Sequence, residues 1–273
     1  MYVLFVLLGV AVGGFGTLIG AGGGFLLTPV LLLCFPSMPA QNVTALSMLT
    51  VFFNSASGAS AYARMKRVDY RTGLIFAAAT LPGSMAGTML ITLVDRKLFN
   101  AIFGIFLLIF AAVIVLKSRL GDHSAPIDKA GLFRAARRLR DREGHEAAFS
   151  FNMLAGVAIS LCVGFLSGFL GIGGGIVHVP ALVFLGFPAH FATATSHFVL
   201  VFSSFTSTLV HLTDGSLSGN LPMALCIAGG AVVGAQIGAR LSKRVGGRAI
   251  MICLAAALIL AGARIAWMGL IPA

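Results

Sequence analysis

Charge is scarce in this chain: 10% of its 273 residues are Asp, Glu, Lys or Arg, against about 25% in soluble domains. With 58% hydrophobic residues and a mean hydropathy of +1.00, the composition excludes an ordinary soluble domain and points to the lipid bilayer. Acid is scarcer still. There are 8 Asp and Glu and none falls in the middle of an apolar stretch, which disfavours a sodium site or proton relay built on buried carboxylates. The formal charge is +11, yet 8 of the 19 Lys and Arg lie between Lys117 and Arg142 and most others flank apolar stretches. That placement is a topology signal, and no nucleic acid partner is expected. The 4 cysteines (Cys34, Cys162, Cys226, Cys253) stand alone in apolar surroundings without a C-x-x-C or a nearby His pair. They read as small hydrophobes and exclude a disulfide framework or zinc centre. No Lys or Arg precedes Arg64, so the positive n-region of a cleaved signal peptide is missing and the first apolar segment is expected to stay. Gly20 to Gly24 lacks the Lys-Ser/Thr of a phosphate-binding loop, and no dinucleotide fingerprint occurs. ATP hydrolysis, cofactors and metals are not expected.

What the chain does have is a duplicated break. Gly20-Ala21-Gly22-Gly23-Gly24 returns 151 residues later as Gly171-Ile172-Gly173-Gly174-Gly175, and Pro29 and Pro180 each follow five residues after the last glycine. Glycine clusters and proline both oppose helix, so these residues are expected to break it. The copies extend further: Pro39-Ala40 matches Pro188-Ala189, and Val43-Thr44-Ala45-Leu46-Ser47 matches Ala192-Thr193-Ala194-Thr195-Ser196. Gly83-x-x-x-Gly87-x-x-Leu90 matches Gly234-x-x-x-Gly238-x-x-Leu241. The offsets of 149 and 151 residues leave only loop indels between the copies.

Apolar windows of about 20 residues mark spans. They predict helices at 41–62, 72–94 and 98–116, and again at 189–211, 221–243 and 248–268. Each half opens with a longer segment, 2–35 and 151–186, that suits two short helices joined at the glycines. The domain reading is a first repeat at 1–116, a cytoplasmic basic linker at 117–150 and a second repeat at 151–273. The linker, with Arg134, Arg137, Arg138, Arg140 and Arg142 among Ala, Leu and Phe, suits an amphipathic surface helix or a flexible connection. If each opening segment crossed once, the basic residues would divide 13 to 6 between the two sides; if each goes in and returns, they divide 16 to 3. The positive-inside rule selects the second arrangement. The predicted fold is therefore an all-α integral membrane protein with two homologous halves in inverted-topology repeat. Each half has a glycine-broken re-entrant segment followed by three membrane helices, and both termini are periplasmic.

A broken apolar segment at matching positions of two halves points to a transporter's binding site. Half-helix N-termini there offer N–H groups and partial positive charge to an oxyanion. The candidate substrate-binding residues are Gly20, Gly22, Gly23, Gly24, Gly171, Gly173, Gly174 and Gly175, with Thr44, Ser47, Asn54, Thr193, Ser196 and His197 on the following helices. Spacings of three and seven put each polar set, Thr44/Ser47/Asn54 and Thr193/Ser196/Ser203, on one helical face. His197, whose repeat partner is Met48, and His178 are ionisable groups inside spans and candidates for proton coupling. His211, Asp69 and Asp214 fall near span ends and read as interfacial. The alternative for the glycines is close helix packing, and for the hydroxyls bonding back to their own helix.

The doubled G-x-G-G-G with its proline, the P-A-x-x-x-T/A-x-x-S stretch and the G-x-x-x-G-x-x-L signature resemble the TauE/SafE family of sulfite exporters and anion permeases. The resemblance covers residues 5–268. It implies a bacterial inner-membrane permease for sulfur-containing anions such as sulfite or organosulfonates, not an enzyme, with substrate near the glycine segments. The partners are then a small anion and the lipid bilayer, with room for a homodimer. Two rivals come from other classes. Ala56-Ser57-Gly58 with His197 or His211 resembles the rhomboid serine–histidine dyad, although Ser55 stands where the rhomboid motif has glycine. A non-transporting membrane scaffold is the other.

Overall fold

The computed structural model describes residues 2–120, 133–144, 146–242, 255, 258–259 and 262–268. Lys243, Arg244, Arg248, Cys253 and most of the helix expected at 248–268 lie outside the described residues, as does the middle of the basic linker. The chain is mostly helical. Its first half runs through α1 (Tyr2–Ile19), α2 (Gly24–Cys34), α3 (Ala40–Arg64), α4 (Tyr70–Ile91) and α5 (Arg96–Leu120). After a two-stranded hairpin, the second half gives α6 (Met153–Leu170), α7 (Gly175–Phe184), α8 (Ala189–Thr213) and α9 (Leu221–Leu241). Among the described residues five stretches are long and apolar enough to cross a membrane: α1, α4, Arg96–Val113 of α5, α6 and Ser218–Leu241. With the two 25-residue helices α3 and α8, which carry more hydroxyls and sit inside, they make a multi-pass membrane protein.

Local chemistry sets the helix ends. Asp69 caps α4 by accepting from the Thr72 amide (3.2 Å) and hydroxyl (2.5 Å), and Asn152 caps α6 through the Ala155 amide (3.1 Å). Pro39 and Pro188 precede α3 and α8, each with its φ fixed and its backbone still outside the helical region. Pro29 and Pro180 correct the sequence reading. They were expected to break helices, yet each lies inside one, and α2 and α7 continue to Cys34 and Phe184. Each proline withdraws one intrahelical donor, which does not stop a helix already nucleated ahead of it.

The halves interleave through glycine. A Cβ on Gly230, Gly234 or Gly238 of α9 would collide with the carbonyls of Val6, Val10 and Gly14 of α1. One on Gly83 or Gly87 of α4 would strike those of Leu161 and Phe165 of α6. Gly234 and Gly238 with Val10 and Gly14 correspond to Gly83 and Gly87 with Leu161 and Phe165 under the 151-residue offset. The repeated G-x-x-x-G is therefore a packing device that brings backbones together where no hydrophobic effect drives helices apart from lipid. Rising residue numbers on both partners make α1 parallel to α9 and α6 parallel to α4. Within the first half, Gly13 faces Asn54 and the Tyr62 hydroxyl donates to the Thr17 carbonyl (2.8 Å), so α1 and α3 run the same way. Between the halves, Asp69 meets Thr195 and Thr88 meets Ser207, so α8 runs with α4 and therefore with α6. At the centre α3 and α8 are antiparallel, with Thr44 beside His211 at one end and Gly58 beside His197 toward the other.

The linker holds the second correction. In place of an amphipathic helix or a flexible connection, Arg134–Arg140 (β1) pairs antiparallel with Glu146–Asn152 (β2), Arg137 opposite Phe149. Phe149 and Phe151 are buried against Phe187, ring centroids 4.5 and 4.7 Å apart, and join Phe76 of α4 and Val199 of α8 in one cluster. Arg137 turns inward because Asp69 (3.3 Å) and the Thr72 hydroxyl (3.0 Å) receive it. Arg67, buried, reaches Asp141 (3.2 Å) and Glu143 (3.4 Å), and the Arg142 amide donates to the Met65 carbonyl (3.0 Å). The hairpin thus ties the α3–α4 connection to α7 and α8.

Candidate functional site

Both glycine breaks adopt the same backbone. Gly20, Gly22 and Gly23 have φ of +90°, +76° and +82°, and Gly171, Gly173 and Gly174 have +69°, +78° and +68°. These left-handed conformations explain why glycine recurs there rather than any small residue. Gly24 and Gly175 begin α2 and α7 and are kept bare by the opposite break. A Cβ on Gly24 would lie 2.8 Å from the Gly171 oxygen, and one on Gly175 2.5 Å from the Gly20 oxygen. The two breaks therefore pack back to back. Val51 of α3 and Leu200 of α8, equivalent under the 149-residue offset, fill the crossing against Gly22 and Gly173. Of the first-turn amides of α2 and α7, those of Leu26, Gly175 and Val177 donate to the carbonyls of Gly23, Gly173 and Gly174 (3.1, 2.8 and 3.0 Å); a helix start leaves the remaining ones without an intrahelical acceptor.

Around the breaks the predicted polar residues divide by role. Ser47 donates to the Gly171 carbonyl (2.6 Å), where Thr28 also points (2.9 Å), 3.0 Å from Ser47. Thr44 donates to the Gln41 carbonyl (2.8 Å), and its methyl packs beside Gly171. Asn54 accepts from Thr17 (3.2 Å), leaving its buried Nδ2 without a partner. The equivalent side of the second half is less satisfied. Thr193 packs its methyl beside Gly20, Val179 stands where the first half has Thr28, and the buried Ser196 hydroxyl has no partner. Ser55, beside Gly22, also holds a buried hydroxyl without one.

His197 is buried with Nε2 3.3 Å from the Thr17 hydroxyl and its ring edge-on to Tyr62, centroids 5.5 Å apart. Gly58 makes room for it: a Cβ there would lie 2.5 Å from the imidazole. His178 is not brought to the crossing. It faces Ser160 of α6 (3.2 Å) and the Phe76 ring. His211, expected at the interface, is buried. Thr17, Thr28 and Tyr62 are not singled out by the sequence, and His211 reads there only as interfacial or as a dyad candidate. The one signal available was the 149-residue offset, which aligns Tyr62 with His211. The hydrolase geometry does not form. Ser57 donates to the Val232 carbonyl (2.8 Å) and accepts from Gln236 (2.8 Å), while His197 and His211 are bonded elsewhere.

Comparison with known proteins identifies the family. The model of the family described as sulfite exporter TauE/SafE matches residues 5–265. A probable membrane transporter protein of Bacillus subtilis, YunE, is 34% identical, the match covering 98% of both chains. One from Methanocaldococcus jannaschii is 28% identical over 93% of this chain and 91% of its own. YfcA of Escherichia coli, also a probable membrane transporter protein, is 27% identical over 84% of this chain and 76% of its own. No solved structure matches the chain. The doubled breaks, the glycine-packed helices and this whole-length match place the chain in the sulfite exporter TauE/SafE family, a family of membrane transporters and not of enzymes.

Proposed function

We propose that the chain is a secondary permease of the bacterial inner membrane that moves a small sulfur-containing anion, such as sulfite or an organosulfonate, by alternating access around the crossed glycine breaks. In this reading residues 1–116 and 151–273 are inverted-topology repeats joined by a cytoplasmic linker, and both termini are periplasmic. The opposed directions of α1 and α3 on one side and α6 and α8 on the other support it, as does the 16 to 3 division of basic residues.

One observation carries the substrate class. The buried polar groups left without partners beside the breaks, Asn54 Nδ2, Ser55 Oγ and Ser196 Oγ, are neutral, and no carboxylate adjoins them among the described residues. Amide and hydroxyl donors together with first-turn N–H groups suit an oxyanion and hold it weakly enough to release it. An arginine would grip it bidentately. In the closed packing described above, Val51 and Leu200 occupy the crossing, so anion entry requires α3 and α8 to part from the breaks. Uptake and efflux by proteoliposomes with sulfite, sulfate and an organosulfonate, with and without a pH gradient, test the reading. Flux of none of these above protein-free vesicles would overturn it.

A further inference from the structure

At the end of the α3–α8 pair opposite the hairpin, His211 is buried among oxygen atoms whose hydrogens are already committed. Its Nδ1 lies 3.3 Å from Asp214 Oδ2 and 3.1 Å from Ser216 Oγ. The Ser216 hydroxyl donates to Asp214 Oδ1 and accepts from the Gln41 amide (3.4 Å). Nε2 lies 3.5 Å from Thr44 Oγ1, whose own hydrogen goes to the Gln41 carbonyl (2.8 Å). Both ring nitrogens therefore face acceptors. A neutral imidazole has one N–H and would set its other lone pair against an oxygen lone pair; an imidazolium satisfies both sides.

The other two buried histidines differ. Nε2 of His197 meets Thr17, which donates to Asn54, and Nε2 of His178 meets Ser160, which donates to the Gly156 carbonyl. One N–H serves each ring. His178 Nδ1 has no partner, and His197 Nδ1 looks back toward Thr193 of its own helix outside hydrogen-bond geometry. Neutral imidazole suits both.

We propose that His211, with Asp214 and Ser216, is a proton-binding site of the transporter, and that its Nε2–H bond to Thr44 couples proton occupancy to the packing of α3 against α8. The coupling to transport rests on the permease reading above; the proton site itself does not. Burial works against the charge, and three features work for it. The Asp214 carboxylate is adjacent, the last turn of α8 supplies the negative end of a helix dipole, and Asp214 is itself held as the anion. Burial pushes its carboxyl up, but the Ser216 hydroxyl and amide, Gln41 and the His211 ring outweigh this and hold it below the usual carboxylate range. From α3 the facing groups are Thr44 and Gln41, both neutral. Arg96 of α5 lies at the same end but engages the carbonyls of Leu32, Phe35 and Met38. Among the described residues no other charged side chain is bonded to the cluster. Asp214, with 20% of its side chain exposed against 0% for His211, gives the proton a route to water.

Protonated, His211 bolts the start of α3 to the end of α8 and favours the conformer closed at this end. Deprotonated, it keeps its one N–H on Nδ1 toward the Asp214 carboxylate and loses the Nε2–H bond to Thr44. The same α3 carries Ser47 to the Gly171 carbonyl, so the bolt lies within one helical turn of the second glycine break.

Two measurements test this. In lipid nanodiscs with ¹⁵N-labelled histidine, a signal absent from His211→Gln is expected to convert to the imidazolium form at a higher pH than the His178 and His197 signals, and Asp214→Asn should abolish that difference. A His211 that stays neutral down to the pH at which His178 and His197 protonate overturns the proton site, whatever the protein transports. In proteoliposomes, anion flux is measured between about pH 5.5 and about pH 8.5. The pH dependence should flatten in His211→Gln and survive in His197→Gln. A wild-type profile retained by His211→Gln overturns the coupling. Absence of flux in every protein, wild type included, defeats the permease reading and leaves the NMR result to decide the site. Asp214→Asn serves both assays if His211→Gln does not accumulate.

Discussion

Ser47 and Ser196 occupy equivalent places in the two halves but hold unequal bonds, and this asymmetry sets up a sharp comparison. Ser47 donates at 2.6 Å to a buried carbonyl, Gly171, that Thr28 approaches at 2.9 Å. Replacing Ser47 by alanine removes one interhelical bond, worth about 0.6 kcal/mol on average and at most about 1.7 in membrane proteins. Thr28 remains to cover the carbonyl. The double variant Ser47→Ala/Thr28→Val leaves that carbonyl with no hydroxyl, and the loss should exceed the sum of the single losses by about 1 kcal/mol or more. Ser196→Ala instead deletes a buried hydroxyl without a partner, so its stability should be unchanged or slightly raised. If that hydroxyl binds the anion in the open protein, losing one neutral hydrogen bond of about 0.5–1.5 kcal/mol raises the half-saturating concentration roughly two- to tenfold. Reversible unfolding in mixed micelles measures the first effect, and substrate-dependent flux in proteoliposomes the second. Additive losses in the double variant, or a Ser196→Ala as destabilised as Ser47→Ala, would refute the assignment of these roles.

Three further expectations follow from the same geometry. Gly23→Ala and Gly174→Ala force alanine to positive φ and bring its Cβ to 2.9 Å from the Val12 carbonyl oxygen and from Val163 Cγ1, so both should lose flux and thermal stability together; a variant with normal stability and no flux would instead single out contact with substrate. Arg67→Gln takes the guanidinium from buried Asp141, with side-chain exposures of 6% and 5%, and should cost about 3–5 kcal/mol, whereas Arg140→Gln, whose exposed pair with Glu146 spans 3.7 Å, should cost under about 1 kcal/mol; thermal unfolding in detergent compares them. A cysteine at Gly144, in the exposed hairpin turn, should resist a membrane-impermeant thiol reagent in intact cells while a reporter active only in the periplasm works at the C-terminus, and the opposite pattern would sink the inverted topology.

The helices were legible because lipid leaves one strong constraint, a long apolar run. The span expected at 41–62 is α3 at Ala40–Arg64, and that at 189–211 is α8 at Ala189–Thr213. The breaks were legible because positive φ at three positions demands glycine, and the demand is repeated. The hairpin was not. Its inward face reads Ala135, Arg137, Leu139, and an inward arginine becomes reasonable only once Asp69 is seen opposite it. The alternation Phe149-Ser150-Phe151 was the overlooked strand signal. Among the polar residues, spacing grouped Ser47 with Thr44 on one face, but whether a hydroxyl has hydrogen to spare depends on which carbonyl lies across the helix gap. His211 was discounted for its place near a span end. Burial there is created by Thr44 and Gln41, far away in sequence.

The pairing of α1 with α9 bears on how the protein is made. Helix α1 has a face of small residues, Gly9, Gly13 and Gly14, shaped for backbone that is synthesised some two hundred residues later, at Ile227, Ala231 and Gly234. At about 5–20 residues per second, that helix waits about 10–40 s in the membrane without its partner. A nascent chain released before Leu241 cannot complete this contact, and the glycine face of α1 is left without the backbone it is shaped to receive.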